Sequence, residues 1–276
     1  MIQKKIFSRI TSPLVFIAVL MFVTLSASCK TEDEKKLEAL FANGNYPFTN
    51  VQGEAPELAD FILKNKEAFL LDLNYVLQNN HDDLFVIADK SHFLEKDYKP
   101  SDVLPLEKND DYVFYRNDLS LRTPAEKALR VMGQAAKNDG ITLVVSSTFR
   151  SYDYQKIVYE RNVKQMGQAA ADRESARPGT SQHQLGTAVD FGSITDEYAE
   201  TKAGKWLAAN AMDYGWSLSY PKGYEAVTGY RWECWHYRYI GQSAVFMQEK
   251  WFNNVQQYML DFIHFYKNAD ISQNVE

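Results

Sequence analysis

The sequence predicts a mixed α+β domain with additional helices at both ends. In its central part, stretches with helical apolar spacing alternate with short runs of β-branched and apolar residues. Amphipathic segments flank that part on either side, and no segment is repeated. A chain of 276 residues with 45% hydrophobic content is long enough to bury one large core.

Residues 1–28 have the composition of an export signal. Lys4, Lys5 and Arg9 precede the apolar run PLVFIAVLMFVTL, which is too short to span a bilayer comfortably. The small residues SAS then lead to Cys29. We therefore expect an exported chain that resides in the periplasm or the cell envelope.

The stretch that ends at Cys29 resembles the lipobox of bacterial lipoproteins, in which the cysteine becomes the lipidated first residue. Ser26 departs from that pattern, because a large aliphatic residue usually stands three positions before the cysteine. The resemblance implies a membrane anchor through an N-terminal lipid. The polar residues 29–53 are then expected to form a tether to the folded body.

The folded body is predicted to start with a helical segment over 54–82 that packs on the domain proper, which spans 83–242. DLFVIADK (83–90) has the composition of a strand. Thr123 and Glu126 form a capping box that predicts a helix start. The remaining predicted elements are strand 141–148, helix 152–166, a mobile loop over 167–180, strand 186–193, helix 203–215, strand 236–240, and within 243–276 one amphipathic helix over 243–267.

Composition argues against a nucleic-acid-binding protein and against a fold held by disulfides. The net charge of -6 disfavours nucleic acid as a partner, since phosphate binding requires clustered Lys and Arg. After export Cys234 is the one remaining thiol, so the core and not a disulfide must hold this fold. We expect Cys234 to pack as a small hydrophobe.

Two short segments contain the residue types of a catalytic zinc site. His183 and Asp190 lie seven positions apart, and Glu233 precedes His236 by three. Such a site takes three ligands from His, Asp, Glu or Cys and needs a nearby general base. Positions seven or three apart face opposite sides of a regular strand, so each pair requires a turn, which Gly186 permits in the first segment.

Four segments carry a resemblance to a known family, in matching order and spacing. They are SSTFRSYDYQ, PGTSQHQLGTAVDF, WLAANAMDYGWSLSYP and ECWHYRYIG. They resemble the VanY-like family of zinc D-alanyl-D-alanine carboxypeptidases and L,D-carboxypeptidases over roughly residues 84–241. The resemblance implies the α+β peptidase fold shared with Hedgehog domains, an antiparallel sheet with flanking helices.

The resemblance also implies a role for each matching residue. His183, Asp190 and His236 match the zinc ligands, and Glu233 matches the base that deprotonates the attacking water. Arg150 matches the arginine that holds the scissile carbonyl oxygen, although an arginine can equally bind the terminal carboxylate of a peptide.

Further residues are assigned to the groove or to packing. Ser181 and Gln155 match polar residues of the substrate groove, and Trp235 is expected either to line the cleft or to lie in the core. Cys234 departs from the family, which commonly has proline there. The remaining histidines, His81, His92 and His264, are expected on the surface or in packing contacts.

These expectations define one function and its alternatives. The first is a zinc carboxypeptidase that removes the C-terminal D-alanine from peptidoglycan stem peptides ending in D-Ala-D-Ala. The second is an L,D-carboxypeptidase that acts on tetrapeptide stems. From other classes, the alternatives are a non-catalytic zinc-bearing module that binds the cell wall and a glycan-binding lipoprotein that needs no metal.

Overall fold

A computed structural model describes residues 30–42 and 54–269 of the chain. The predicted export signal and Cys29 lie outside the described residues. The helices of the described part are α1 (Glu32–Leu40), α2 (Glu54–Lys64), α3 (Lys66–Asn79), α4 (Thr123–Asn138), α5 (Tyr152–Met166), α6 (Gln168–Glu174), α7 (Lys202–Asn210), α8 (Glu225–Thr228), α9 (Gln242–Trp251) and α10 (Gln256–Asn268). The strands are β1 (Val103–Pro105), β2 (Val113–Phe114), β3 (Ser120–Arg122), β4 (Val144–Ser147), β5 (Ala188–Phe191), β6 (Trp216–Leu218) and β7 (His236–Tyr239).

The predicted α+β class is confirmed, with a central sheet in the order β2-β4-β5-β7-β6. Its pairs are antiparallel except for the parallel edge pair β2-β4, and β1 and β3 form a separate antiparallel pair. The two central strands, β5 and β7, align Asp190 with His236. The sheet register therefore brings together two residues that are far apart in the sequence.

The two faces of the sheet have different chemistry, because side chains alternate along a strand. Val189 and Phe191 of β5 and Tyr237 of β7 join an apolar core with α4 and α7. The intervening residues of the same strands, Asp190 and His236, face the opposite side. A polar site is thus built on one face while the other face holds the domain together.

A second core joins the helices at the two ends of the chain. It contains the fully buried side chains of Leu37 from α1, Phe69 from α3 and Phe262 from α10. Phe69 meets Phe262 edge-on, with ring centroids 5.0 Å apart. The terminal helices therefore pack against each other, and a hydrogen bond from Ser217 of β6 to Gln248 of α9 joins them to the edge of the sheet.

Part of the predicted tether is helical. We predicted a polar tether over 29–53, but α1 occupies its start and buries Leu37. Local sequence did not predict this helix, because the segment is rich in charged residues and few apolar residues mark its buried face. The partners of Leu37 come from distant elements such as α10. The helix is capped by Thr31, which forms a capping box with Glu34.

Four further predictions of local structure need correction. Residues 83–90 form a 3-10 turn (Asp82–Phe85) and irregular chain instead of a strand. The predicted single C-terminal helix is two helices, interrupted at Asn253 and Asn254, whose φ angles of 50° and 58° are left-handed. The predicted loop 167–180 contains α6. In α4, Thr123 is the first helical residue and Arg122 is the N-cap, so the predicted capping box is absent there.

The buried Arg238 explains why residues 83–90 do not form a strand. Its guanidinium Nη2 donates to the carbonyl oxygens of Leu84 and Val86, at 2.9 and 2.7 Å. Burial lowers the pKa of Arg238 to about 10. Because the two carbonyl groups are turned toward this cation, the segment does not pair with the sheet.

Candidate active site

The sheet register positions the acidic centre of the site. Asp190 on β5 is paired with His236 on β7 and with Ser147 on β4. A register shift between Val145 and Ser147 bulges β4, so that Val145 faces the apolar core while Ser147 lines the polar cavity. The strands thereby bring a carboxylate, an imidazole and a hydroxyl together from three segments of the chain.

His183 reaches Asp190 through the turn that the sequence predicted. The chain forms a 3-10 turn over Gln182–Leu185 and ends it at Gly186, whose φ is 70°. A Cβ at Gly186 would lie 2.7 Å from a methyl carbon of Val103, so both the conformation and the space require glycine. The Nδ1 of His183 donates to the carbonyl oxygen of Thr148 at 2.7 Å, and its Nε2 lies 3.1 Å from Asp190.

Glu233 and His236 face one cavity because a turn precedes β7. The backbone N–H of His236 donates to the carbonyl oxygen of Glu233 at 3.2 Å, which closes the turn over Cys234 and Trp235. The Oε2 of Glu233 lies 3.8 Å from the Nδ1 of His236. The bend that the spacing of the two residues required is therefore present.

The three predicted ligands fit a divalent cation. The Nε2 of His183, the Nδ1 of His236 and the carboxylate of Asp190 present ligand atoms that all lie within 4.8 Å of one another. Asp190 Oδ1 is 3.0 Å from His236 and Asp190 Oδ2 is 3.1 Å from His183. Tetrahedral ligands at zinc distances are separated by about 3.3 Å, so this donor set suits zinc and leaves a fourth position for water.

Burial and neighbouring charges set the protonation of these groups. Burial lowers the pKa of His183 to about 4, so its imidazole is neutral, as metal binding requires. Burial disfavours the ionised form of Asp190, yet the adjacent His183 and His236 hold its pKa well below the ordinary value. Burial, followed by repulsion from Asp190, raises the pKa of Glu233 well above its usual range.

Arg150 lies beside the predicted ligands just past the end of β4. Its Nη2 donates to the hydroxyl of Ser147 at 3.1 Å and lies 3.5 Å from Asp190. Its Nη1 donates to Gln155 at 2.8 Å. Burial lowers the pKa of Arg150 from its usual value, although the guanidinium stays charged at neutral pH.

Gln155 holds Arg150 in place and does not line the cavity. It is fully buried at the start of α5, and its Nε2 donates to the carbonyl oxygen of Ala176 at 2.6 Å. The sequence predicted that Gln155 lines the substrate groove. We now assign to it the positioning of Arg150, because its Oε1 accepts the hydrogen bond from that guanidinium.

The site opens into a cavity of about 670 Å³. Ser181 lines it, as the sequence predicted, and also caps the turn by accepting from the N–H of His183. Trp235, which was expected either in the cleft or in the core, borders both the cavity and the apolar core. Tyr220 packs on His236 with ring centroids 4.8 Å apart. The cavity wall also carries Arg116, Arg161, Glu174, Asp196 and Glu197, so cations and anions both face the space beside the predicted ligands.

Cys234 and the other three histidines lie outside the predicted ligand group. Cys234 is buried in the apolar core, and its Sγ approaches the carbonyl oxygen of Thr195 at 3.6 Å, away from the ligand group. His92 and His264 meet edge to face at a second cavity, with centroids 5.6 Å apart, and His81 is exposed. The expectations of packing for Cys234 and of surface or packing positions for these histidines agree with the structure.

Sequence reasoning missed the groups that orient the site. The carbonyl oxygen of Thr148 and the hydroxyl of Ser147 are invisible as signals, because any residue supplies a carbonyl and serine is common beside a strand. Tyr220 also lines the cavity and packs on His236. The Tyr-Pro pair that ends the third matching segment is the one signal that marks its position.

This arrangement defines a class of enzyme, the metallopeptidases with a mixed His and Asp ligand set. Comparisons with known proteins agree. The family model VanY, described as D-alanyl-D-alanine carboxypeptidase, matches residues 118–242. Residues 118–242 therefore form a domain of this family.

Relatives and solved structures extend the match. The putative carboxypeptidase YodJ of Bacillus subtilis (strain 168) is 34% identical over 171 residues, which cover 60% of this chain and 63%, less than two thirds, of that protein. The LdcB LD-carboxypeptidase, a structure described as revealing peptidoglycan recognition, is 32% identical, with a TM-score of 0.56 over 63% of this chain and 83% of that one.

A third similar protein contains the metal. A mutant of the vancomycin resistance D,D-pentapeptidase VanY, solved in complex with Zn(II), is 24% identical, with a TM-score of 0.54 over 65% of this chain and 99% of that one. At this identity the likeness is one of fold. The predicted resemblance to the VanY family and the predicted α+β fold are confirmed.

Proposed function

We propose that the protein is a zinc-dependent carboxypeptidase that removes the C-terminal D-alanine from peptidoglycan stem peptides, with D-Ala-D-Ala as the preferred end. One observation supports this above all others: His183, Asp190 and His236 meet within 4.8 Å at the wall of a cavity that Glu233 and Arg150 also line. A structural metal site needs neither a base nor a cation beside it. The family description supports the D,D preference.

Glu233 acts as the general base and then as the general acid. Zinc, when bound, supplies the Lewis acidity that makes water a nucleophile near neutral pH. The carboxylate of Glu233 accepts the proton of the attacking water and passes it to the amine of the departing D-alanine. Its raised pKa favours the protonated form that the second step uses. A zinc ion beside Glu233 would favour the ionised form and so restore the carboxylate that the first step needs.

Arg150 stabilises the negative oxygen that develops on the scissile carbonyl. The guanidinium is fixed by Ser147 and Gln155, so it needs no reorganisation as charge develops. Because both of these acceptors are neutral, the positive charge of Arg150 is only partly offset, by Asp190 at 3.5 Å. The alternative role, binding the terminal carboxylate, uses the same fork of donors.

The L,D-carboxypeptidase is the second candidate, and one observation favours it. The 32% identical LdcB is an LD-carboxypeptidase, and its likeness to this chain includes both sequence and fold. The two candidates share every catalytic group named above. They differ in the residue that precedes the departing D-alanine, which is D-alanine in one substrate and an L-diamino acid in the other.

Hydrolysis of defined stem peptides tests these candidates. Purified protein is incubated with muropeptides that end in D-Ala-D-Ala or in L-Lys-D-Ala, with and without a chelator, and released D-alanine is measured. We expect release from the pentapeptide that stops when the chelator is added. Bound zinc without turnover of either peptide would favour the non-catalytic module, and a chain that binds no zinc would favour the glycan-binding lipoprotein.

We also propose that the chain is exported and anchored through a lipid on Cys29. The basic residues, the apolar run and the small residues before Cys29 support this, and an extracytoplasmic place agrees with a cell-wall substrate. Among the described residues, no helix has the length and apolar character to cross a membrane. Metabolic labelling with a fatty-acid analogue should mark the wild type and leave Cys29→Ala unlabelled.

A further inference from the structure

A row of buried polar side chains lies behind His236, on the side away from Asp190. The Nε2 of His236 is 3.3 Å from the Oε1 of Gln182, and the hydroxyl of Ser219 donates to the same oxygen at 2.7 Å. The Nε2 of Gln182 faces the Oε1 of Gln256 at 3.4 Å. All four side chains are at least 97% buried, so water does not compete for these contacts.

The orientation of the Gln182 amide decides which nitrogen of His236 is free for a metal. With Oε1 facing the ring, His236 carries its hydrogen on Nε2 and keeps the lone pair of Nδ1 for the ligand group. The opposite orientation would aim an N–H at Nε2, force the hydrogen onto Nδ1 and block metal binding. The polar partner behind a ligating histidine commonly fixes its tautomer in this way.

Gln256 extends this row into the C-terminal helices. It is the first residue of α10, which lies beyond the residues 118–242 that match the family model. Its Oε1 accepts from both Gln182 and Ser219, each at 3.4 Å. Its Nε2 is buried and has no hydrogen-bond partner in the described part of the chain, an arrangement that costs stability on the order of 1–3 kcal/mol.

We propose that Gln182, held by Ser219 and Gln256, is a positioning residue that sets the metal-binding tautomer of His236, so that the C-terminal helical layer contributes to metal affinity. The inference rests on the proposed function in needing a metal at this site. It adds that α10 does more than pack in the second core. The buried Nε2 of Gln256 is left without a partner among the described residues because the Oε1 of the same side chain supports the metal site through Gln182.

Zinc affinity of the full-length chain tests the proposal. We expect Gln182→Leu to weaken zinc binding about 10–100-fold in chelator competition, and to shift the visible spectrum of the Co(II)-substituted protein. Gln182→Glu keeps an acceptor for His236 and should restore both. Gln256→Leu should weaken binding in the same direction and by less, since it acts through Gln182.

Gln248 offers a matched control in the same helical layer. It is a buried glutamine of α9 whose Oε1 accepts from Ser217 of β6 at 2.8 Å, with no hydrogen bond to the row behind His236. Gln248→Leu should lower thermal stability without changing zinc affinity or the Co(II) spectrum. The proposal is overturned if Gln182→Leu binds zinc as the wild type does, or if Gln248→Leu weakens binding equally.

The outcomes separate this inference from the proposed function. A wild type that binds zinc but releases no D-alanine removes the proposed function, while the affinities of the variants still decide the role of Gln182. An active wild type with unchanged affinity in the leucine variants removes this inference alone. If Gln182→Leu does not fold, Gln182→Glu and Gln256→Leu decide, with retained and reduced affinity as the expected results.

Discussion

The imidazoles of His183 and His236 lie perpendicular to each other, with ring centroids 4.9 Å apart, and turn different nitrogens toward Asp190. His183 presents Nε2 because its Nδ1 is bound to the carbonyl oxygen of Thr148, while His236 presents Nδ1 because its Nε2 faces Gln182. Backbone on one side and a buried side chain on the other thus orient two histidines toward one carboxylate.

Replacing Glu233 by glutamine should abolish turnover while leaving the metal in place. We expect Glu233→Gln to lower kcat by about 10²–10⁴-fold, because the amide can neither accept nor return the proton. Zinc content and D-alanine release are measured on the same preparation. Loss of zinc together with activity would show that Glu233 binds the metal instead.

Arg150→Lys should separate the two roles of the arginine. If Arg150 holds the developing oxyanion, kcat falls about 10²–10³-fold while KM changes little. Binding of the terminal carboxylate instead predicts a raised KM with a nearly unchanged kcat. Steady-state kinetics on a pentapeptide measures both constants, and wild-type values for both would contradict either role.

Leu37→Ala tests whether α1 belongs to the folded body. Because Leu37 is fully buried among α1, α3 and α10, truncation should cost about 2–4 kcal/mol of unfolding free energy. Leu71→Ala on α3, where the leucine is 72% exposed, is the control and should change stability by less than about 0.5 kcal/mol. Equal effects in urea titrations would mean that α1 is not part of the core.

Asp261→Asn should stabilise the protein at alkaline pH. Burial raises the pKa of Asp261 to about 7, so its ionisation costs more in the folded state than in the unfolded one. The stability contributed by the neutral acid is complete below about pH 4 and is lost as pH rises toward 7. Asparagine avoids this loss and still accepts the hydrogen bond that Gln257 donates at 2.8 Å.

Unfolding free energies at several pH values measure this effect. The advantage of Asp261→Asn should be small at pH 4, grow up to pH 7 and reach on the order of 1–2 kcal/mol above it, a figure reduced for partial exposure. Asp60→Asn, at an exposed position of α2, serves as the control. An advantage that does not depend on pH would contradict the assignment to ionisation.

The sequence was most informative where local chemistry decides the structure. The helix over 152–166, the glycine turn before β5 and the bend between Glu233 and His236 were all predicted from nearby residues. The terminal parts were less predictable. Burial of Leu37 depends on α10, and the interruption of the C-terminal helix depends on left-handed conformations at Asn253 and Asn254, which apolar periodicity does not reveal.

The candidate site shows the same division. The resemblance assigned the ligands, the base and the arginine, and the structure brings these residues together around one cavity. The resemblance placed Gln155 in the groove and gave no indication for Gln182, because their partners are a guanidinium and an imidazole that only the folded chain brings near. Groups that orient other groups are therefore the part of this site that required the structure.

An anomalous difference map at the zinc edge, from crystals of the protein soaked in zinc, tests the central claim most directly. We expect one strong peak within about 2.0–2.2 Å of the Nε2 of His183, the Nδ1 of His236 and a carboxylate oxygen of Asp190. Glu233 should lie beside the peak without binding it. A peak elsewhere, or none at these three residues, would contradict the account.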